Sequence, residues 1–237
     1  FTGCLFDYAM QDVGRAGIDV LRRNRVEVVL PKDQVCCGMP IFWTGQTKLA
    51  KEHFVKRNIE AFERAGVDTV LTMCAACGMS WQKDVIPSAT ELLGREPRFR
   101  VVDIHRFLVE DIDLEEMGAY EGAKLTFHDP CHLRRGQGIW QEPRELLKKI
   151  PGIVFEEMMK ADRCCGGVLR YSRPDIAHKI GEKKIEDAAK VKAGIIVTAC
   201  PLCTNQLSMT IQAKGQEGIE VRNVVEIMST AHRTGAA

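Results

Sequence analysis

The chain has no charge of one sign to spare. Thirty-three Lys and Arg stand against thirty-two Asp and Glu, a formal net charge of +1, so nothing in the balance points to a nucleic acid or a membrane surface. No apolar run approaches the ~18 residues of a membrane span, and no direct span is expected. A G-x-G-x-x-G run is also missing; without a dinucleotide fingerprint, electrons for any redox chemistry have to come from a partner. Aromatic residues are few, 6% of the chain, with only three Trp.

Cysteine is what the chain does have. Its ten cysteines are Cys4, Cys36, Cys37, Cys74, Cys77, Cys131, Cys164, Cys165, Cys200 and Cys203. Disulfide scaffolds are usually small and loop-rich, whereas this 237-residue chain carries the helix and strand patterns of a proper core. The expected setting is cytoplasmic, with any membrane association made through a partner subunit.

The last five cysteines repeat the first five at offsets of 127, 128, 128, 126 and 126. Each set reads C, then CCG, then CxxC, and no cysteine is left over. This is an internal duplication. The landmarks around it repeat as well. The β-like runs Val26–Leu30 and Ile153–Glu157 precede the two CCG motifs, and Ala-Gly pairs at 65–66 and 193–194 precede the strands leading to the CxxC motifs. Each half closes with a strand and a helix, at 99–110 and 219–228. Helical periodicity runs over Val13–Arg23, Ala50–Arg64, Glu142–Lys149 and Ile176–Lys190.

Short apolar strands alternating with such helices predict an α/β fold: two pseudo-twofold-related, Rossmann-like half-domains with mostly parallel sheets. The halves are drawn at 1–115 and 116–237, with the acidic, weakly patterned stretch from Ile112 to Glu121 as the linker. The cysteine loops then leave the carboxyl ends of the strands, where such sheets bind ligands. A strand-like run, Lys124–Phe127, stands ahead of Cys131. Its counterpart would precede Phe1, so a natural chain longer at its N-terminus is expected.

Five thiols per half admit three chemistries. A structural zinc takes four ligands, and adjacent cysteines chelate one ion awkwardly. A thioredoxin-like dithiol suits Cys74-Ala-Ala-Cys77 or Cys200-Pro-Leu-Cys203 but leaves six cysteines unexplained. Iron–sulfur ligation uses all ten, although a cubane cluster needs only four thiolates. Gly38 and Gly166-Gly167 are expected to let backbone approach inorganic sulfur.

Around the cysteines stand Phe1-Thr-Gly-Cys4, His128-Asp-Pro-Cys-His132 and Thr198-Ala-Cys-Pro-Leu-Cys203. With the duplicated C…CCG…CxxC pattern, they resemble the CCG domain of heterodisulfide reductase catalytic subunits, of B-type or D-type, over essentially the whole chain. The resemblance implies two noncubane [4Fe–4S] clusters, one held by Cys4, Cys36, Cys37, Cys74 and Cys77, the other by Cys131, Cys164, Cys165, Cys200 and Cys203. A disulfide would be clamped between the clusters and cleaved by electrons arriving singly. It also implies an electron-donating partner (a flavoprotein, a ferredoxin-like domain or subunit, or a membrane cytochrome) and a small disulfide or protein-bound sulfur substrate. Iron–sulfur subunits of glycolate and lactate dehydrogenases share the domain but commonly lack part of a five-cysteine set. Both sets are complete here, so a plain electron-transfer subunit is the alternative.

His128 and His132 flank Cys131 and are the candidate proton donors to a departing thiolate, the other reading being loop hydrogen bonding. His105 reads as structural and Asp129 as a turn former. Arg134, Arg135 and Arg170 are candidates to offset anionic clusters or bind an acidic substrate group, or else form a solvated face. Trp43, Trp81 and Trp140 are expected to pack around the clusters.

Overall fold

In the computed structural model, residues 1–122 and 124–234 are described. Residue 123 and residues 235–237, which the sequence assigns to the second half, lie outside them. Two small parallel sheets organise the chain. The first pairs β1 (Thr69–Thr72) with β2 (Arg100–Asp103) in the register Thr69–Arg100 to Thr72–Asp103. The second has the order β3 (Leu125–His128), β4 (Ile195–Thr198), β5 (Glu220–Asn223), again all parallel. β3 and β4 are buried at every position, as strands covered on both faces must be.

Helices α1 (Gly3–Tyr8) and α2 (Gln11–Arg23) open the first half. After the short α3 (Met39–Trp43), helices α4 (Thr47–Ala50) and α5 (Lys56–Arg64) run on through the π turn Lys51–Val55. Beyond β1, α6 (Ala75–Ser80) and α7 (Ile86–Leu93) are likewise joined by a π turn, Trp81–Val85, and α8 (Ile104–Glu110) follows β2. The second half repeats the plan with α9 (Cys131–Gln137), α10 (Glu142–Lys148), α11 (Pro174–Lys190), α12 (Pro201–Lys214) and α13 (Val224–Thr234).

The halves share one continuous buried core and meet through equivalent contacts. α13 packs on α2 as α8 packs on α10, and α6 meets α9 as α12 meets α1. α6 and α9 come together over glycine: a Cβ on Gly78 would sit 2.7 Å from the Gln137 side chain, and one on Gly136 would sit 2.6 Å from Met79. Gln137 fixes the crossing by donating from Nε2 to the Ala75 carbonyl at 2.9 Å. At the other seam Ser229 donates to Asp19 at 2.7 Å, and Arg106 pairs with Glu142 at 2.9 Å. The stretch from Ile112 to Glu121 is irregular, but it is tied to the second half through Gly118 N–H to Ala231 and Tyr120 N–H to Pro151.

Two local expectations are corrected. Val26–Leu30 forms no strand. Its counterpart 153–157 makes a single parallel bridge, Phe155 to Leu125 of β3, and in the first half Phe1 N donates to the Leu71 carbonyl of β1 at 2.8 Å. The helix-to-strand turns also differ. Gly66 takes the left-handed conformation (φ 67°) in the first half, but in the second Lys192 does (φ 54°), two residues before Gly194. Among the described residues no helix is long and apolar enough to cross a membrane.

Candidate metal centre

Each cysteine is delivered by the end of an element. Cys74 and Cys200 are the extended N-cap residues of α6 and α12, immediately beyond β1 and β4. Cys77 and Cys203 lie one turn into the same helices. Cys4 and Cys131 begin α1 and α9. The adjacent pairs Cys36-Cys37 and Cys164-Cys165 sit in irregular backbone closed by Gly38 (φ 78°) and Gly166 (φ 86°). That conformation strains any residue with a Cβ. The glycine N–H then turns back on the cysteine two residues earlier, Gly38 to Cys36 Sγ at 3.5 Å and Gly166 to Cys164 Sγ at 3.3 Å. The glycines are thus needed for this turn and for helix contact: a Cβ on Gly166 would meet the Ala177 carbonyl at 2.8 Å.

All ten thiols are free, and they form one file. Neighbouring thiols, each perturbing the next, run Cys4–Cys36–Cys37–Cys77–Cys74 through the first half and Cys200–Cys203–Cys165–Cys164–Cys131 through the second. Cys74 and Cys200 join the two runs. Sulfur separations along the file include 3.9 Å for Cys36–Cys4 and 3.3 Å for Cys165–Cys203.

Only three thiols of the file, Cys36, Cys164 and Cys200, are pulled below the usual range, and the other seven are pushed up. Hydrogen bonds from Cys37 and Cys4 pull the Cys36 thiol down to about 2, and those from Cys131 and Cys165 do the same to Cys164, again to about 2. Cys37 and Cys165, each donating to its lowered neighbour, are pushed up to about 12. Like charges this close cannot all ionise unless cations lie among them. The donor set, thiolate sulfur alone and five per half, suits soft, multi-metal centres and exceeds the four ligands of a tetrahedral zinc. The residues fit iron–sulfur clusters.

The flanking residues divide. His128 is fully buried at the end of β3 and contacts the Ala161 carbonyl through Nδ1 at 3.3 Å; its Nε2 has no partner among the described residues. A ring nitrogen lies within 4.8 Å of both Cys165 and Cys203 sulfurs. Burial, with the nearby Lys184 ammonium, lowers its pKa to about 4. His132 is half-buried beside Cys131, and its ring stands edge-on to Trp43 of the other half at 5.1 Å. Burial lowers its pKa, against the pull of Cys200 and Cys164. His105 has a structural part: it caps α8 with Asp103, Nδ1 to Oδ1 at 2.8 Å, both side chains buried.

Asp129 does more than turn the chain. Buried two residues before Cys131, it accepts from Arg134 at 2.6 Å and from Arg144 at 2.7 and 3.1 Å, while Arg144 also reaches Glu157. Arg134 is therefore committed to Asp129 and to the face of Trp140 at 5.0 Å, and Arg170 to Asn205 at 2.8 Å. Arg135 is exposed, and its positive charge is felt by both Cys131 and His132. Trp43 meets the site through His132, and Trp140 faces Arg134 and Arg144. Trp81 is wholly buried among Phe1, Phe62 and Phe99.

Sequence reasoning missed Lys184 and Asn58. Lys184, with no exposed surface, donates to the Lys160 and Ala161 carbonyls at 2.6 and 3.1 Å. Asn58 is equally buried, accepting from Val35 N–H at 2.8 Å and donating to the Cys36 carbonyl at 3.0 Å. Their shared spacing was a signal: each stands sixteen residues ahead of the first CxxC cysteine of its half.

Residues 1–82 and 125–208 match the family model described as the CCG cysteine-rich domain. Over 98% of its length the chain is 41% identical to a fumarate reductase (CoM/CoB) subunit of Methanothermobacter marburgensis, covering 46% of that protein. It is 32% identical, over 98% of the chain and 58% of the relative, to a dihydromethanophenazine:CoB–CoM heterodisulfide reductase subunit of Methanosarcina barkeri. A probable glycolate oxidase iron–sulfur subunit of Bacillus subtilis is 34% identical over 92% of the chain and 50% of that protein. The chain thus spans about half the length of these relatives. On the family match, the identities and the ten-thiol site together, the chain belongs to the CCG cysteine-rich domain family.

Proposed function

We propose that this chain is the part of an iron–sulfur oxidoreductase subunit that reductively cleaves a disulfide. Cys4, Cys36, Cys37, Cys74 and Cys77 would hold one [4Fe–4S] cluster of noncubane type, and Cys131, Cys164, Cys165, Cys200 and Cys203 the other. The observation that carries this reading is the unbroken file of thiols, with Cys74 against Cys200 at its centre. Two sets that meet face to face suit a substrate with two sulfurs better than a one-way relay does. When bound, the clusters supply electrons one at a time.

The protein's own residues supply the rest. His132 is half-exposed and next to Cys131, so it can pass a solvent proton to a departing thiolate. His128 has no exposed surface and serves to position the second set. Arg144, Asp129 and Arg134 lock the loop that carries Cys131. Arg135, exposed and holding the Asp162 carbonyl at a long 3.4 Å, can swing to receive an acidic group on the substrate. The names of the methanogen relatives support a thiol–disulfide substrate and a multi-subunit setting with an electron-donating partner.

A second reading, an electron-transfer subunit of a larger dehydrogenase, is favoured by the identity to the Bacillus subtilis iron–sulfur subunit. Two measurements separate the readings. Iron and acid-labile sulfide should reach about eight of each per chain for two four-iron clusters; zinc with little iron would overturn both. Adding CoM–CoB-type or other small disulfides to the oxidised protein should change its EPR spectrum and yield thiol on reduction. An unchanged spectrum with no thiol product overturns disulfide cleavage and leaves the relay.

A further inference from the structure

The duplication makes each half a control for the other. His128 stands three residues before Cys131; three residues before Cys4 is Phe1. His132 follows Cys131 where Leu5 follows Cys4, and Lys184 occupies the place of Asn58. The cysteines themselves are matched, so the two sites differ in what surrounds the sulfur.

That difference has one sign. Beside the second set lie an imidazole with a ring nitrogen within 4.8 Å of the Cys165 and Cys203 sulfurs, a half-buried imidazole at Cys131, the Arg135 guanidinium and, one layer out, the Lys184 ammonium. Beside the first set the matching positions, Phe1, Leu5, Tyr8 and Asn58, hold a phenyl ring, an isobutyl group, a phenol and a carboxamide. Lys184, brought down to about 8 by burial, is still protonated at neutral pH.

His128 also has a proton to give. The Ala161 carbonyl that its Nδ1 faces at 3.3 Å already accepts from Asp129 N–H at 3.0 Å and from Lys184 at 3.1 Å. A carbonyl oxygen has two lone pairs, so the ring proton is better placed on Nε2, the buried nitrogen with no partner among the described residues. The Cys165 and Cys203 sulfurs, within 4.8 Å of a ring nitrogen, would be the acceptors nearby once a cluster holds them as thiolates. Hydrogen bonds to cluster sulfur and nearby positive charge both favour the reduced cluster, which carries one more electron.

We propose that the two cysteine sets hold their clusters at different reduction potentials, the second-half cluster being reduced first, because His128 and Lys184 stand where the first half has Phe1 and Asn58. The proposal rests on the two-cluster reading above but not on any substrate.

The test is an anaerobic redox titration of the cluster-loaded chain, carrying 15N-histidine, followed by pulsed EPR. Two separate one-electron steps are expected, and the signal that appears at the higher potential should carry the histidine-nitrogen coupling. Simultaneous reduction, or coupling confined to the lower-potential signal, would overturn the proposal; this holds without any variant. In H128F, which copies the first half, the reduced-to-oxidised ratio of the higher-potential cluster at its wild-type midpoint should fall about tenfold, or 59 mV for one electron, while the other step stays. Unmoved steps with full iron would also overturn it. A chain that takes up no iron refutes the cluster reading itself, a different result from clusters with merged or inverted potentials.

Discussion

Replacing Gly166 by alanine tests the turn on which the second cysteine set depends, and Gly38 provides the comparison. At φ 86° an alanine costs ~1–2 kcal/mol from backbone strain alone. Its Cβ would also lie 2.8 Å from the Ala177 carbonyl, 3.1 Å from Ala177 Cα and 3.2 Å from Ile180. Two of these are backbone atoms of α11, so the helix itself must shift, which adds an overpacking cost of ~1–3 kcal/mol. The sum for Gly166→Ala is about 2–5 kcal/mol. Gly38→Ala carries the same strain at φ 78°, but its neighbours at 3.1–3.2 Å are atoms of the Phe54 side chain, which can give. About 1–3 kcal/mol is expected there. At about 2–4 °C per kcal/mol for a chain of this size, Gly166→Ala should melt roughly 5–15 °C below wild type and Gly38→Ala less. The assay is anaerobic thermal unfolding by far-UV ellipticity at one scan rate, with iron counted in parallel. Gly166→Ala should keep about half of the iron, the share held by the other set. Melting within ~2 °C of wild type, or a larger loss in Gly38→Ala, would refute the argument.

Arg144→Met removes the hub of a buried ion network and should cost about 3 kcal/mol, the low end for a broken buried pair. Arg134 still reaches Asp129, and Glu157 is 44% exposed. Denaturant unfolding checks this, and adding Asp129→Asn should recover part of the loss. The buried Lys184 gives a pH signature. Its folded pKa, about 8, lies below the unfolded 10.5, so between these values the unfolded chain binds the extra proton and stability rises with pH. Relative to Lys184→Met, wild type should gain up to ~1.4 kcal/mol per pH unit across that window and nothing below it; parallel curves would count against the burial of a charged lysine. Trp43→Ala uncovers the His132 ring and should raise its pKa towards the unperturbed range. That is readable by NMR in the metal-free reduced chain, where an unmoved resonance would deny the contact a role.

Much of this architecture is legible in the sequence because duplication checks each assignment twice. The helix over 176–190 emerges as Pro174–Lys190, and both closing strand–helix pairs fall within a few residues of their expected places. What the sequence hides is direction and docking. Trp81 follows Cys77 by one helical turn but points into the aromatic core, and proximity along the chain says nothing of which face a residue takes. Asp129 beside Pro130 carries every mark of a turn, while its partner Arg144 is fifteen residues away. Val26–Leu30 has the composition of a strand yet forms none, because backbone pairing is a tertiary property that composition does not fix. The meeting of Cys74 with Cys200 follows from helix contacts between halves, which no spacing encodes.

The file of thiols is sealed in the middle and open at its ends. Cys4 is exposed, Cys36, Cys131 and Cys164 are partly so, and the other six are buried. Solvent-borne reagents therefore reach the file first at its two rims, and the thiols at the seam between the halves last. A reagent that blocks Cys4 or Cys131 closes one door without touching the interior. Mass-mapped alkylation of the metal-free chain should mark these rim cysteines first and Cys74 and Cys200 last, turning a static row of sulfurs into an order of events.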